Sequence, residues 1–198
     1  MEVRIVETPV HGRALFERRS PDRVLVGFHG YAETAAIHFT ELERIGADGW
    51  SLLAIQALHP FYTKKGDVVA SWMTKEDRQQ HIADNLEYVG RVLRDVGIPR
   101  RAFVGFSQGV AMAYRAAARF GGEGVIALAG DVPPDVRGTL PPVLIGRGTR
   151  EEWYAEEKLR ADLEVLGTGA TVATFDGGHE WTDAFRAELG RFLSALAG

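Results

Sequence analysis

Short apolar runs alternate along the chain with longer segments in which apolar residues recur every three or four positions. The short runs have the length and the β-branched content of buried strands, and the longer segments have the period of amphipathic helices. This alternation predicts an α/β fold with a mostly parallel central sheet and helices on both faces. We expect one domain over residues 1–198, because a chain of this length can bury a sizeable core.

The pattern predicts eight strands and five helices. Two strands at the start of the chain form a leading hairpin or meander and six buried strands follow: Glu2–Glu7, Arg13–Glu17, Arg23–Phe28, Trp50–Gln56, Ala102–Phe106, Gly124–Ala129, Pro142–Gly146 and Ala170–Phe175. The predicted helices are Thr34–Ala47, Lys75–Val96, Gln108–Phe120, Trp153–Leu166 and Thr182–Leu196. Their apolar stripes are typical of core packing rather than of a binding site.

Charge and composition exclude several classes of function. The chain has 23 Lys and Arg against 27 Asp and Glu, a net charge of −4, and no basic cluster, so we expect no nucleic-acid partner. No run approaches membrane-spanning length and no signal peptide is recognisable, so we expect a cytoplasmic protein without integral membrane association. There is no cysteine, which excludes disulfides, thiolate metal sites and a cysteine nucleophile.

The segment VGFSQGVAM, residues 104–112, places Ser107 between two glycines where a predicted strand gives way to a predicted helix. A nucleophile on such a strand–turn–helix elbow has a strained backbone and needs small residues two positions before and after it. Gly105 and Gly109 meet this requirement. A serine that only capped the helix would leave the second glycine unexplained, so we interpret Ser107 as the candidate nucleophile.

A serine hydroxyl needs a base, and in this type of fold the base follows the last strand. His179, in the segment FDGGHEW, lies after the last predicted strand on a loop that two glycines free to turn. The remaining histidines fit less well by position and are interpreted as structural or solvent-facing: His11, His29, His38, His59 and His81. No second ligand lies near His179 in the sequence, so we expect no metal and no cofactor.

The acid that would orient the histidine is less clearly marked. A carboxylate after the predicted strand Pro142–Gly146 is expected, and Glu151 gives the chain order nucleophile, acid, base. Glu152 and Asp131 are alternatives, and Asp176 is more typical of an Asp-Gly turn.

Two backbone N–H groups are expected to bind the oxyanion of an attacked carbonyl. One belongs to Gln108 at the start of a helix, and the other to Tyr31 in the loop FHGYAET after an early strand. The expected C-terminal edge of the sheet, where α/β proteins bind ligands, also collects candidates for an apolar substrate pocket. They are Phe61, Tyr62, Trp72, Met73, Trp153, Tyr154 and Trp181.

Taken together, these motifs resemble the carboxylesterase/phospholipase family of α/β-hydrolases, which includes acyl-protein thioesterases. The resemblance rests on HGYAET, SWM at 71–73, GIPRRAFVGFSQGVAMA, GRGTREEW and GGHEW, and extends from about Phe28 to Trp181. It implies Ser107 as nucleophile, His179 as base, and Tyr31 and Gln108 as oxyanion donors. The chain departs from the family where a G-T-x-D segment is usual, since Glu151 replaces the aspartate, and at Val110, where a glycine is common.

We therefore expect a cofactor-free serine hydrolase that acts on small-molecule carboxylic esters through an acyl-enzyme. The short connections between elements leave no room for a lid domain, which favours small or slender acyl groups. A thioesterase or lysophospholipase-type hydrolase and a non-catalytic ligand-binding protein on the same fold are the alternatives. A homodimer is compatible with the sequence.

Overall fold

A central sheet of seven strands organises the structure, a computed structural model that describes residues 1–198. The strands are β1 (Ala14–Glu17), β2 (Arg23–Phe28), β3 (Ser51–Ile55), β4 (His59–Tyr62), β5 (Val68–Ser71), β6 (Arg100–Phe106), β7 (Gly124–Leu128), β8 (Val143–Gly148) and β9 (Ala170–Phe175). The helices are α1 (Ala35–Arg44), α2 (Arg78–Val96), α3 (Gln108–Phe120), α4 (Glu156–Leu166) and α5 (Asp183–Ala197), and a short 3-10 turn at Gly167–Gly169 precedes β9.

The strand order places the ends of several parallel strands at one edge. The order is β1-β3-β2-β6-β7-β8-β9, with only β1 antiparallel to its neighbour, and β4 pairs with β5 in a separate hairpin. Strand β2 pairs with β6 in parallel from Arg23 opposite Arg100 to Phe28 opposite Gly105. The loops that follow these two strands therefore begin side by side.

Helices cover both faces of the sheet because each presents one apolar stripe to it. On one face, α2, α3 and α4 pack on the sheet, and Ile82, Val89 and Leu93 of the predicted α2 stripe are buried there. On the other face lie α1 and α5, through Leu42, Phe185 and neighbouring apolar residues. The predicted mostly parallel α/β fold is thereby confirmed. None of the helices combines the length and the apolar composition that a membrane span requires.

The strands differ from the prediction in two ways. The segment Glu2–Glu7 forms no strand: residues 1–13 lie outside the regular elements, and Val3, Ile5 and Val6 are exposed. β-Propensity stabilises a strand only where its side chains find a surface to pack on, and this segment has none. The β4–β5 hairpin was not predicted, because its four-residue strands are too short to show a period.

Two helices begin three residues later than their sequence patterns suggested. Helix α2 starts at Arg78 rather than Lys75, because Asp77 has a left-handed conformation with φ of 47°. Helix α4 starts at Glu156 rather than Trp153, since Ala155 is extended. The second shift leaves Trp153 and Tyr154 in a loop at the C-terminal edge of the sheet.

Two buried histidines predict acid sensitivity. His38 of α1 has no exposed surface and neither ring nitrogen has a hydrogen-bond partner, while His29, also fully buried, follows β2. Burial lowers the pKa of His38 from 6.5 to about 3 and that of His29 from 6.5 to about 4. Because the unfolded chain binds protons that the folded chain rejects, stability present above pH 6.5 is lost as the pH falls toward 4.

We expect each of these histidines to lower the free energy of unfolding by about 2 kcal/mol between pH 7.5 and pH 5. Urea unfolding at the two pH values measures this loss. His38→Leu is expected to reduce the loss by about 2 kcal/mol, whereas Ile37→Leu, at an exposed position of the same helix, leaves it unchanged. An identical pH dependence in His38→Leu and the wild type would contradict the assignment of this effect to His38.

Candidate active site

Ser107 occupies the turn between β6 and α3 with a strained backbone. Its φ of 52° and ψ of −119° lie in a region that side-chain-bearing residues seldom adopt, at a cost of about 1–3 kcal/mol. The turn is held on both sides, since Ser107 N–H donates to Leu128 O at 2.9 Å and Ser107 O accepts from Val110 N–H at 3.1 Å. The serine is therefore fixed where β6 ends and α3 begins.

The two glycines around Ser107 are required by close backbone approaches. A Cβ at Gly105 would come within 2.5 Å of the backbone of Gly109, and a Cβ at Gly109 would lie 2.0 Å from Phe28 O. No Cβ can occupy either position without displacing backbone. The second glycine thus lets α3 begin directly against the end of β2, which brings the loop after β2 next to Ser107.

His179 and Glu151 meet at the same edge of the sheet. His179, on the loop after β9, donates from Nδ1 to Glu151 Oε1 at 2.9 Å and approaches Oε2 at 3.0 Å. The His179 ring also packs against Phe106, the residue before Ser107, with ring centroids 5.0 Å apart. With Nδ1 as donor, Nε2 of the neutral ring is the acceptor, and it is the nitrogen that a base would use.

Neither Ser107 Oγ nor His179 Nε2 has a hydrogen-bond partner within the protein. A hydrogen bond between a nucleophile and its base often forms fully only in the complex with substrate. Both atoms are free to make it.

Glu151 is held as a carboxylate by the loop that carries it. Its side chain is fully buried. Burial alone would raise the pKa of Glu151, but the N–H groups of Trp153 at 2.8 Å and Tyr154 at 3.1 Å, together with His179, outweigh it and hold this pKa below its ordinary value. Glu151 is thus ionised at neutral pH and bonded to the histidine.

The loop after β8 is fixed through the tyrosine that contacts Glu151. Tyr154 is buried, its hydroxyl donates to Asp162 Oδ2 at 2.7 Å, and its carbonyl accepts from Arg147 Nε at 2.9 Å. The same loop joins the histidine loop, since Arg150 N–H donates to Gly177 O at 2.8 Å. The relative positions of Glu151 and His179 therefore rest on both side-chain and backbone contacts of these loops.

The loop after β2 leaves one backbone amide free. Gly30 N–H donates to Glu33 Oε2 at 2.7 Å and Ala32 N–H donates to Ala70 O at 3.1 Å, whereas the N–H of Tyr31 between them has no partner in the protein. Tyr31 follows the end of β2, beside the end of β6. The amide expected to bind an oxyanion is thus the unpaired one of the three.

Gln108 contributes differently through its backbone and its side chain. As the first residue of α3 its N–H has no intrahelical partner and lies at the positive end of the helix dipole. Its carboxamide turns toward the Ser71–Met73 segment, where it accepts from Trp72 N–H and donates to Met73 O, both at 2.9 Å. The side chain of Gln108 therefore fixes the segment that connects β5 to α2.

The candidate pocket residues divide into exposed and buried groups. Trp72, Met73 and Tyr154 belong to the core, with at most 4% of their surface exposed, which removes them from an open pocket. Trp72 donates from Nε1 to His29 O at 2.8 Å, so its indole supports the end of β2. Trp181 is partly buried against His38, with ring centroids 5.7 Å apart.

The remaining candidates are accessible at the edge of the sheet. Tyr62 is 76% and Trp153 73% exposed, and Phe61 stacks on the exposed ring of Tyr31 with centroids 5.4 Å apart. Phe61 and Tyr62 belong to strand β4 rather than to a loop.

The alternative acids are paired with basic side chains or exposed to solvent. Asp131 pairs with Lys158 at 3.7 Å, Asp176 pairs with Arg150, and Glu152 is exposed. None of the three contacts His179, which leaves Glu151 as its carboxylate partner. No group of three or more His, Asp or Glu side chains is arranged to hold a metal ion.

Sequence reasoning missed two polar residues that shape the loop after β2. His29 Nε2 accepts from Ala57 N–H at 3.1 Å and His29 Nδ1 donates to Gly30 O at 2.7 Å, and Glu33 binds Gly30 N–H. Burial raises the pKa of Glu33 although the bond from Gly30 acts in the opposite direction. The spacing of Glu33 three residues after the glycine was a signal, because a glutamate can reach back to the backbone N–H three residues before it, as in a capping box.

Known structures resemble this architecture closely. A carboxylesterase from Bacillus cereus aligns with a TM-score of 0.74 at 15% identity, over 93% of this chain and 94% of that chain. The acyl-protein thioesterase 2 of Zea mays aligns with a TM-score of 0.75 at 16% identity, over 95% and 100% of the two chains. A phospholipase/carboxylesterase from Dyadobacter fermentans gives 0.70 at 20% identity, over 93% and 97%.

This chain has the α/β-hydrolase fold. No family model matches its sequence, and no curated protein sequence matches it either. In this α/β-hydrolase fold no lid domain covers the C-terminal edge of the sheet, and the β4–β5 hairpin contacts Tyr31 through Phe61.

Proposed function

We propose that the protein is a serine hydrolase that cleaves carboxylic esters through a covalent acyl-enzyme. The observation that carries this proposal is the pairing of His179 with the buried Glu151 carboxylate at the sheet edge where Ser107 sits on its strained turn. The similarity of the fold to esterases and a thioesterase supports the same reaction class.

The first half of the reaction forms the acyl-enzyme. His179 Nε2 removes the proton of Ser107 Oγ as the oxygen attacks the carbonyl carbon of the ester. The carbonyl oxygen becomes an oxyanion that accepts hydrogen bonds from the N–H groups of Tyr31 and Gln108. The imidazolium then gives its Nε2 proton to the leaving oxygen or sulfur, the bond to that atom breaks, and the acyl group stays on Ser107.

The second half releases the acid. Water gives a proton to His179 Nε2 and attacks the acyl carbon, the oxyanion forms again, and Ser107 leaves with the proton from the imidazolium. Glu151 stays ionised throughout. Its negative charge stabilises the imidazolium, and its hydrogen bond holds the tautomer in which Nε2 accepts the proton.

Partitioning to methanol tests the acyl-enzyme. Esters that share one acyl group but differ in leaving group, and the matching thioester, are incubated with the protein in aqueous methanol. A common acyl-enzyme gives one ratio of methyl ester to free acid whatever group has left. A ratio that changes with the leaving group would contradict a covalent intermediate, and comparison of oxygen and sulfur esters ranks the esterase against the thioesterase reaction.

A further inference from the structure

Trp153 stands apart from the other tryptophans of the chain. Trp50 and Trp72 are buried and Trp181 is partly buried, but 73% of Trp153 is exposed. Exposure of one large apolar side chain is ordinary by itself. Its position makes it informative, because it lies two residues after Glu151 and beside the ring of His179.

Hydrogen bonds hold the backbone that carries this indole. Trp153 N–H donates to Glu151 Oε1 at 2.8 Å, the same oxygen that accepts from His179. The ring lies edge-on to the imidazole of His179, with centroids 6.4 Å apart and an angle of 61° between the planes. The next residue, Tyr154, is buried and bonded through its amide, carbonyl and hydroxyl groups. The exposed ring is thus carried next to His179 by a firmly held segment.

The chemistry of the reaction determines which part of a substrate would contact the surface of this ring. The His179 imidazolium must hand its proton to the leaving atom, so the leaving group lies beside the His179 ring when the bond breaks. Tyr31, whose N–H would bind the oxyanion, belongs to the different loop after β2 and has its own ring stacked on Phe61. The indole of Trp153 lies against the His179 ring, on the histidine side of the site.

We propose that Trp153 forms a leaving-group subsite that favours esters of planar, aromatic alcohols or thiols. An indole contacts any apolar group, but it gains additional energy from an aromatic partner through stacked or edge-to-face geometry. The surface is open to solvent, so it accommodates flat groups without a closed pocket. This inference rests on the proposed hydrolase function and names the substrate class for that site.

Two matched substrate pairs test the proposal. Benzyl acetate and cyclohexylmethyl acetate share the acyl group, and their alcohols are similar in size and acidity but differ in whether the ring is aromatic. Ethyl phenylacetate and ethyl cyclohexylacetate differ in the same way on the acyl side. The ratio of kcat/KM within each pair is measured for the wild type, for Trp153→Leu, and for Phe16→Leu as a control on the distant edge strand β1. Ratios within one variant cancel any general effect of the substitution on Glu151 or on folding.

We expect Trp153→Leu to lower the benzyl to cyclohexylmethyl ratio by about three- to tenfold, and to leave the acyl-side ratio as in the wild type. Phe16→Leu is expected to change neither ratio. A fall in the acyl-side ratio instead, or no change in either ratio, would overturn the proposal. If the wild type hydrolyses none of these esters and forms no acyl-enzyme, the proposed function itself fails, and this inference with it.

Discussion

Ser107→Ala is expected to lower kcat/KM for ester hydrolysis on the order of 10⁴- to 10⁶-fold. The substitution removes the oxygen that attacks the carbonyl but keeps the Cβ, so the strained turn and its bonds to Leu128 O and Val110 N–H persist. The residual rate comes from the oxyanion donors and substrate binding, which remain. Hydrolysis is measured at substrate concentrations well below KM, alongside circular dichroism and the urea unfolding midpoint.

Ser194→Ala is the matched control for this substitution. Ser194 is an exposed residue of α5 whose hydroxyl only bonds Gly190 O at 2.9 Å, so its loss is expected to leave ester hydrolysis unchanged. Activity above one-tenth of the wild-type value in a folded Ser107→Ala protein would rule out Ser107 as the nucleophile.

Glu151→Gln is expected to lower kcat on the order of 10³- to 10⁴-fold, with a small effect on KM. The amide carries no charge to stabilise the imidazolium. Its oxygen can keep the Oε1 position, which accepts from Trp153 N–H and Tyr154 N–H, but its NH₂ group then takes the Oε2 position, 3.0 Å from His179 Nδ1. A donor at that position opposes the Nδ1–H and favours the tautomer in which Nε2 carries the proton. Steady-state kinetics on the purified variant measure the loss.

The alternative acids supply the controls for Glu151. We expect Glu152→Gln, Asp131→Asn and Asp176→Asn to remain within about threefold of the wild type, because these carboxylates are exposed or paired with Lys158 and Arg150. A large loss in Asp131→Asn with a near-normal Glu151→Gln would transfer the role of the acid to Asp131.

Much of the fold could be read from periodicity. The six later predicted strands appear as β2, β3, β6, β7, β8 and β9, because fully buried strands of a parallel sheet are continuous apolar runs. Helix α3 was predicted with its observed bounds, because the elbow around Ser107 marks its start and Gly121 follows its end. Local steric requirements of this kind can be recognised directly in the sequence.

Features that depend on contacts between distant segments could not be read in this way. The choice of Glu151 over Asp131 depends on where the loop after β8 meets His179, which no local pattern specifies. Likewise, Trp72 lies next to loop residues in the sequence but packs in the core because its N–H and indole find partners in Gln108 and His29. The segment Glu2–Glu7 has β-propensity but forms no strand, because it lacks a surface to pack on.

The most direct test of the account is mass spectrometry of the intact protein after treatment with a fluorophosphonate, followed by peptide mapping. A fluorophosphonate phosphonylates serines that an adjacent base activates. We therefore expect one adduct on the wild type, on the peptide that contains Ser107. The adduct is expected to be absent from Ser107→Ala and to form far more slowly in Glu151→Gln. A well-folded wild type that forms no adduct, or forms it on another residue, would contradict the central claim that Ser107 is an activated nucleophile.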